Sequence, residues 1–211
     1  MKAITFYFDV ISPYAALAFE RLPEALEGLN VVVDYRPILF AGLLKVWGQK
    51  GPAEMEPKRQ WTFRQVAWTA QRLGITLQTP AQHPFNPLAL QRLAWACGPN
   101  RRVVERLFHH VWRAEGQDAN HPGRLERLQQ DLAPARDPAS EEVKQALRQA
   151  TEDAIAAGVF GVPTLEVDGR QFWGLDSLDM AAAYLRGDPW FQGDAWDDAG
   201  RPRAGVVRRD G

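Results

Sequence analysis

The feature that most constrains this chain is an apolar strand that runs directly into a helix near the N-terminus. Residues 2–10 have the β-branched and aromatic content of a buried strand, and a helical pattern follows Pro13. Ser12 is a favoured N-cap residue, and proline is favoured at the first helical position because its missing N–H has no partner there. The turn is therefore predicted to place a hydroxyl beside free N–H groups at the positive end of a helix dipole. Such a place suits an anion or a thiolate, although a Ser-Pro pair that opens a helix is most often only a cap.

A second segment changes how the Ser-Pro pair is interpreted. Residues 158–164 read GVFGVPT and lead through a short strand to Asp168-Gly169. A strand, turn and helix at the start of a chain, combined with Val-Pro-Thr near its end, resemble the thioredoxin superfamily. The resemblance implies that the peptide bond before Pro163 is cis and that this proline faces the turn at Ser12.

Within that superfamily the chain looks like the 2-hydroxychromene-2-carboxylate isomerases, which are relatives of the kappa-class glutathione transferases and of DsbA-like proteins. The motifs that carry the resemblance, in chain order, are FDVISPYA (8–15), RPI (36–38), KVWG (45–48), GVFGVPT (158–164) and FWGLD (172–176). The resemblance covers roughly residues 2–186. Where a DsbA-like oxidoreductase carries Cys-x-x-Cys, this chain has Ser12-Pro13-Tyr14-Ala15.

Composition excludes several other classes of function. The chain has 25 basic and 26 acidic residues, and a net charge of −1 gives no sign of a nucleic-acid or membrane-surface partner. No apolar run approaches the roughly 20 residues that span a bilayer. We see no basic, apolar and cleavable leader at the N-terminus, so we expect a cytoplasmic protein.

The cysteine and histidine content limits the possible chemistry. The single cysteine, Cys97, rules out an intramolecular disulfide, so any thiol chemistry must borrow its sulfur. Cys97 shares one predicted helix face with apolar residues, which favours a buried packing residue over a reactive thiol. His109 and His110 are adjacent and cannot chelate like an i, i+4 pair, and His83 and His121 stand beside prolines in predicted loops. We therefore expect no metal.

The sequence predicts a thioredoxin-like fold, in the α/β class, with a large all-helical insertion. We assign residues 1–39 and 158–186 to the thioredoxin-like domain, 40–157 to the insertion and 187–211 to a C-terminal tail. The first two strands, 2–10 and 30–39, should pair in parallel, and Pro23 should kink or restart the helix between them. Helices are predicted over 41–47, 57–73, 88–97, 101–115 and 140–157, and 74–87 should be irregular.

The C-terminal part of the chain carries a predicted hairpin and a further helix. Asp168-Gly169 between two short apolar runs predicts the hairpin, and Asp176-Ser177 should cap a helix that ends near residue 185. The tail is either exposed and partly ordered, or its aromatic residues Trp190, Phe191 and Trp196 cover a neighbouring surface or the site.

The resemblance implies that glutathione is the cofactor. The expected glutathione-binding residues are Ser12, Val162, Pro163, Gly174, Leu175, Asp176 and Ser177. The backbone of Val162 can pair with an extended tripeptide, the start of the helix near Asp176 suits a terminal carboxylate, and the Asp176 carboxylate can accept from the γ-glutamyl ammonium.

The proposed catalytic residue is Ser12, in a role other than nucleophile because no adjacent base or Gly-x-Ser-x-Gly elbow accompanies it. Its hydroxyl would donate to the glutathione thiolate and lower the thiol pKa. In the family the thiolate adds reversibly to a conjugated carbon, the carbon–carbon bond rotates, and glutathione is regenerated. The substrates interconverted there are 2-hydroxychromene-2-carboxylate and trans-o-hydroxybenzylidenepyruvate.

An aromatic carboxylate substrate requires a flat apolar slot with a cation at one end. The resemblance assigns substrate contacts to Lys45, Gln49 and Asn86, and Trp47, Trp61 and Trp173 are candidate walls. Each has a simpler interpretation: lysine as a solvated residue, Asn86 as a turn residue before proline, and the tryptophans as core. Family relatives are commonly homodimers, and the tryptophan-rich insertion could supply the contact.

Two departures from the family pattern leave other functions open. Ser177 stands where the family often has arginine, and Gln49 stands where it commonly has asparagine. The rivals are a kappa-like glutathione transferase that keeps the conjugate and a redox-inactive thioredoxin-fold module that binds peptides.

Overall fold

The computed structural model describes residues 1–202. Strands β1–β4 are Lys2–Phe8, Val31–Pro37, Thr164–Val167 and Arg170–Trp173. Helices α1–α9 are Pro13–Ala25, Phe40–Val46, Glu56–Arg72, Leu88–Cys97, Arg101–Trp112, Pro122–Leu132, Glu141–Ala156, Leu178–Leu185 and Ala195–Ala199. Short 3₁₀ turns lie at Pro52–Glu54, Leu175–Ser177 and Pro189–Phe191.

The strands form a mixed four-stranded sheet in the order β2-β1-β3-β4. β1 and β2 pair in parallel, as predicted, with Phe6 opposite Tyr35, and β3 runs antiparallel to both of its neighbours. Helices α2 to α7 lie in the chain between β2 and β3. The thioredoxin-like fold with a helical insertion is therefore confirmed.

The first helix differs from the prediction at its proline. Pro23 lies inside α1, which continues unbroken to Ala25. A proline in a helix leaves the carbonyl four residues earlier without its usual partner. That carbonyl belongs to Phe19, and the Arg101 guanidinium donates to it at 2.7 Å while stacking 3.6 Å from the Phe19 ring centroid. A side chain from α5 thus replaces the missing backbone donor.

The helical insertion contains one helix that the sequence analysis missed. The predicted helices over 41–47, 57–73 and 88–97 agree with α2, α3 and α4 within a residue at each end, and α5 ends three residues before its predicted end. The additional helix, α6, begins at Pro122 and buries Leu128 and Leu132. The spacing of Leu125, Leu128 and Leu132 behind an N-terminal proline is the signal that would have revealed it.

One hydrophobic core crosses from the sheet into the insertion. Phe8 of β1 and Phe19 of α1 lie 5.5 and 5.3 Å from the ring of Phe108 in α5, measured between ring centroids. All three side chains are almost completely buried. The helices of the insertion therefore pack directly behind the strand that leads to Ser12.

The C-terminal part confirms the hairpin and partly orders the tail. Asp168 and Gly169 have φ of 52° and 76°, the left-handed pair of a tight two-residue hairpin. Phe191 is buried, and the Phe191 and Trp196 rings lie 6.1 and 5.6 Å from the Phe172 ring of β4. This packing favours the interpretation in which the tail covers a neighbouring surface. Residues 203–211 of the predicted tail lie outside the described residues.

None of the helices within residues 1–202 combines the length and apolar character needed to cross a membrane.

Candidate functional site

The turn between β1 and α1, residues 9–12, is called the serine turn below, and it is built as the sequence predicts. Ser12 is the N-cap of α1, and its Oγ accepts from the Ala15 N–H at 3.1 Å. The same oxygen lies 3.4 Å from the carbonyl oxygen of Val162, to which the hydroxyl can donate only a long hydrogen bond. Ser12 is 8% exposed. The turn after β1 and the Val162-Pro163 segment therefore meet at the Ser12 hydroxyl.

A buried carboxyl group, Asp9, organises this turn. Its Oδ1 accepts from the Ile11 N–H at 3.1 Å and its Oδ2 from the Phe40 N–H at 3.0 Å, and its backbone carbonyl accepts from the Ser12 N–H at 3.0 Å. Burial raises the pKa of Asp9 to about 7, although the two N–H donors act in the opposite direction. Asp9 thereby ties the serine turn to the start of α2. The sequence analysis assigns Asp9 no role. The signal it contains is a single acidic residue within an apolar strand pattern.

The proline segment, Val162-Pro163, leads into β3 and faces the serine turn. The Val162–Pro163 peptide bond is cis, as the resemblance implies. The Val162 N–H donates to no acceptor among residues 1–202, whereas the Pro163 carbonyl accepts from the Gly174 N–H at 2.9 Å. This last bond places the glycine after the hairpin next to the proline, so two of the predicted glutathione segments are directly joined.

The segment after the hairpin differs in detail from the prediction. Leu175–Ser177 forms a 3₁₀ turn, and α8 begins only at Leu178. Ser177 occupies the N-cap position of α8, but its backbone is already helical (φ −86°, ψ −4°) and its side chain makes no capping hydrogen bond. Its Oγ donates to the Gly174 carbonyl at 2.9 Å. Leu175 is partly buried against the core beside α1 and α3. The predicted position of the cap, at Ser177 before a helix that ends at Leu185, is confirmed, but the cap has no side-chain hydrogen bond.

Asp176 lies near the serine turn and is exposed. Its carboxylate forms no ion pair within residues 1–202. Burial raises the pKa of Tyr14, and the charge of Asp176 raises it further, which places this carboxylate close to the phenol two residues after Ser12. A free anion thus stands beside the site, where it can accept a cation.

Aromatic side chains surround the proline segment on its exposed side. Trp173 is 54% exposed, and its ring lies 4.9 Å from that of Phe160. A Cβ on Gly161 would collide with the indole nitrogen of Trp173, so glycine is required for the indole to rest on the backbone there. Trp47 is 44% exposed and donates from its indole to the Val159 carbonyl at 3.0 Å. The structure therefore brings Trp47 and Trp173 to the same loop, whereas Trp61 lies exposed on α3.

The remaining predicted substrate residues are exposed. Lys45 lies in the last turn of α2 and forms no ion pair among the described residues, and Gln49 follows in the loop after α2. Asn86 accepts with its side-chain oxygen from the Leu88 N–H at 3.0 Å, the geometry of a turn before α4. No hydrogen bond within residues 1–202 joins any of the three to Ser12. Their substrate contacts stay predictions.

Sequence reasoning also missed His83. Its Nε2 lies 2.8 Å from the carbonyl oxygen of Ile11, the residue before Ser12, and its ring packs against Phe63, Phe85 and Trp112. Burial lowers the pKa of His83. Nothing in the local sequence indicates this contact, because it joins residues 72 positions apart.

Cys97 and the other histidines lie elsewhere in the molecule. Cys97 is partly buried against the main core, and burial raises the pKa of its thiol, which disfavours the reactive thiolate. His110 lies 2.9 Å from the Ala119 carbonyl oxygen, and His109 lies 3.1 Å from Glu20. In the part of the chain that the structure describes, no three His, Cys, Asp or Glu side chains cluster as metal ligands.

Comparisons with known proteins agree with this architecture. Residues 3–186 match the family model of the DSBA-like thioredoxin domain. The 2-hydroxychromene-2-carboxylate isomerase of Sphingobium xenophagum is 31% identical over 87% of this chain and 98% of its own. Glutathione S-transferase kappa 1 of Rattus norvegicus is 25% identical over 90% of this chain and 92% of its own. A solved structure of a 2-hydroxychromene-2-carboxylate isomerase superposes with a TM-score of 0.78 at 24% identity, covering 91% of this chain and 98% of the other.

Proposed function

The chain belongs to the DSBA-like thioredoxin-domain family, and from this membership we propose that it is a glutathione-dependent isomerase of the 2-hydroxychromene-2-carboxylate isomerase type. Its substrate would be a small aromatic carboxylate with a conjugated, pyruvate-like side chain. The relatives named as isomerases and as kappa transferases support this choice.

One observation carries the proposal: the Ser12 hydroxyl is held in place but weakly used. Its oxygen accepts from the Ala15 N–H, which fixes its position, while its own proton has only the Val162 carbonyl at 3.4 Å. A hydrogen bond of that length is easily exchanged for a shorter one to an anion. The hydroxyl is thus available to donate to a thiolate at the positive end of α1.

The surrounding residues fit glutathione. The Val162 N–H has no acceptor among residues 1–202, as expected of a group that pairs with an extended peptide. The unpaired Asp176 carboxylate is free to accept the γ-glutamyl ammonium. Gly174, Leu175 and Ser177 would line the remainder of the tripeptide site beside Pro163.

In this proposal glutathione, when bound, supplies a thiolate that adds reversibly to a conjugated carbon of the substrate and leaves unchanged after bond rotation. Ser12 keeps that sulfur ionised, because a donated hydrogen bond favours the charged form and lowers the thiol pKa. Lys45 would hold the substrate carboxylate with Gln49 and Asn86, and Trp173 and Trp47 would provide its apolar walls. Because Ser12 donates and does not abstract a proton, it needs no neighbouring base.

The proposal is tested by calorimetry with reduced glutathione followed by a conversion assay. We expect one glutathione per chain, and we expect conversion of trans-o-hydroxybenzylidenepyruvate to 2-hydroxychromene-2-carboxylate only when glutathione is present. The glutathione concentration should be the same before and after many turnovers. Conversion at the same rate without glutathione would overturn the proposal.

The similarity to the rat kappa-class transferase supports a second candidate, an enzyme that transfers glutathione to an electrophile. Stoichiometric loss of free thiol with an electrophilic substrate, with no isomerisation, would favour that function. Binding of unfolded peptides with no binding of glutathione would instead favour a redox-inactive peptide-binding module.

A further inference from the structure

The serine turn is held from behind by side chains of the helical insertion. Gln91 of α4 donates from Nε2 to the Phe8 carbonyl at 3.2 Å, and the indole N–H of Trp112 in α5 donates to the Val10 carbonyl at 2.9 Å. His83 lies 2.8 Å from the Ile11 carbonyl. Three of the carbonyls that lead to Ser12 therefore bind donors that are remote in sequence.

The His83 contact defines which ring nitrogen carries the proton. A backbone carbonyl can only accept, so Nε2 is the donor and the neutral ring has a bare Nδ1. That Nδ1 is buried without a hydrogen-bond partner among residues 1–202, and the rings of Phe63, Phe85 and Trp112 surround the imidazole. The apolar surroundings disfavour a second proton, so His83 is held as a neutral, single donor.

Two successive peptide planes of the turn are consequently fixed at both ends. In the peptide plane that joins Val10 to Ile11, the carbonyl accepts from the Trp112 indole and the N–H donates to the Asp9 carboxyl group. In the next plane, from Ile11 to Ser12, the carbonyl accepts from the His83 Nε2–H and the N–H donates to the Asp9 carbonyl. Because each peptide unit is planar, fixing both ends sets the backbone from which the Ser12 side chain projects.

We propose that His83, with Trp112, is a positioning residue for Ser12: the insertion fixes the two peptide planes before the serine and so aims its hydroxyl at the incoming sulfur. This inference rests on the proposed function of Ser12. It assigns the insertion a part in the chemistry, because a displacement of about 1 Å at a reacting group can lower turnover about 100-fold. His83 acts only through the backbone and touches no substrate.

The test compares three variants. His83→Phe keeps a ring among Phe63, Phe85 and Trp112 but removes the hydrogen-bond donor. His83→Gln restores an N–H donor at a similar distance from the backbone of residue 83. His110→Phe is the matched control, since His110 is likewise partly buried with a lowered pKa and contacts a backbone carbonyl, that of Ala119. The control should lose comparable stability without disturbing the serine turn.

The first measurement needs no glutathione. Hydrogen exchange of the Ser12 amide, relative to the Phe6 amide in β1 of the same sample, should accelerate about tenfold in His83→Phe, the effect of losing one buried hydrogen bond. The ratio should stay near wild type in His83→Gln and His110→Phe. An unchanged ratio in His83→Phe would overturn the positioning role even if the protein does not bind glutathione.

The second measurement separates binding from turnover. In His83→Phe we expect kcat to fall about 10- to 100-fold and the pKa of the bound glutathione thiol, followed by ultraviolet absorbance, to rise, while glutathione affinity stays within about threefold. His83→Gln should recover most of the kcat. Equal kcat in His83→Phe and His110→Phe would overturn the inference. Absence of glutathione binding by the wild-type protein would instead overturn the proposed function.

Discussion

Ser12 and Asp9 show how single residues prepare the serine turn. Ser12 combines a firm contact to the Ala15 N–H with a long one to the Val162 carbonyl, and Asp9 binds the backbone N–H groups of Ile11 and Ser12. One residue thus supplies the donor, and the other supplies its geometry. Both roles can be tested separately.

Replacing Ser12 by alanine is expected to lower kcat about 10²- to 10³-fold, the usual cost of removing one donor to a developing or bound anion. Glutathione affinity should change much less, because Val162 and Asp176 would still hold the tripeptide. The variant also loses its helix cap, which costs about 1 kcal/mol of stability. Steady-state kinetics and calorimetry measure the two effects.

Ser140→Ala controls for the lost cap. Ser140 is likewise an N-cap, and its Oγ accepts from the Val143 N–H at 3.3 Å at the start of α7. It should lose similar stability and keep full turnover. Unchanged turnover in Ser12→Ala would remove Ser12 from the mechanism.

Asp9 should make stability depend on pH. Burial raises its folded-state pKa to about 7, whereas the unfolded chain has a pKa near 3.8. Between these values the folded protein keeps the proton that the unfolded chain releases, so the free energy of unfolding decreases as the pH rises through this window. The charged carboxylate is thus a cost above about pH 7, consistent with its burial without a cation.

We expect Asp9→Asn to remove this dependence, because an amide does not titrate there. In urea unfolding, the wild-type protein should lose about 2–3 kcal/mol more than Asp9→Asn between about pH 5 and pH 8. Parallel pH curves for the two proteins would show that Asp9 ionises at an ordinary pKa.

At the scale of elements, the site depends on a glycine that joins β4 to the 3₁₀ turn before α8. Gly174 has φ of 94°, its N–H donates to Pro163, and a Cβ there would lie 2.5 Å from the Asp176 carboxylate oxygen. Only glycine adopts this backbone without strain. The connection therefore positions both the proline segment and the free carboxylate.

Gly174→Ala is expected to destabilise the protein by about 1–3 kcal/mol and to weaken glutathione binding at least about tenfold, because the new methyl displaces Asp176. Thermal unfolding and calorimetry provide the readouts. Gly28→Ala is the control: Gly28 also has positive φ, 76°, but a methyl group added there would meet no atom within 4 Å among the described residues. It should lose stability alone. Equal glutathione affinity in both variants would contradict the role given to Gly174.

At the scale of the whole molecule, the sheet, the insertion and the tail form connected layers. The core behind β1 continues into α5, so the predicted division at residues 39/40 and 157/158, which stays a prediction, does not divide the hydrophobic core. The tail aromatics pack on Phe172 at β4. The homodimer also stays a prediction. Trp61 and Trp68 of α3 are 63% and 60% exposed, and these tryptophans of the insertion could contribute to a dimer contact.

The tail should contribute stability and not chemistry. Phe191→Ala is expected to cost about 3 kcal/mol, the usual cost of deleting a buried phenylalanine, with kcat unchanged. Trp190→Ala is a suitable control, because Trp190 is 43% exposed and should cost about 1 kcal/mol or less. Urea unfolding and kinetics measure these values. A fall in kcat for Phe191→Ala at full folding would place the tail at the site.

The sequence by itself determined the serine cap and the hairpin, because caps and turns are local and carry their own residue preferences. The fold class and the cis bond at Val162-Pro163 followed from the resemblance that the sequence motifs carry. The sequence analysis missed α6, and it did not show that α1 continues through Pro23 or that Ser177 stands at the N-cap of α8 without a side-chain capping bond.

Only the tertiary structure decided how α1 accommodates Pro23, which group the Ser177 hydroxyl contacts, and what Asp9 and His83 bind. For these contacts the physical reason is common: the partner is remote in the chain or is a backbone group. Helix α6 is different, because its leucine spacing is a local signal. Arg101 satisfies the Phe19 carbonyl that Pro23 leaves open, and His83 reaches Ile11 across 72 positions.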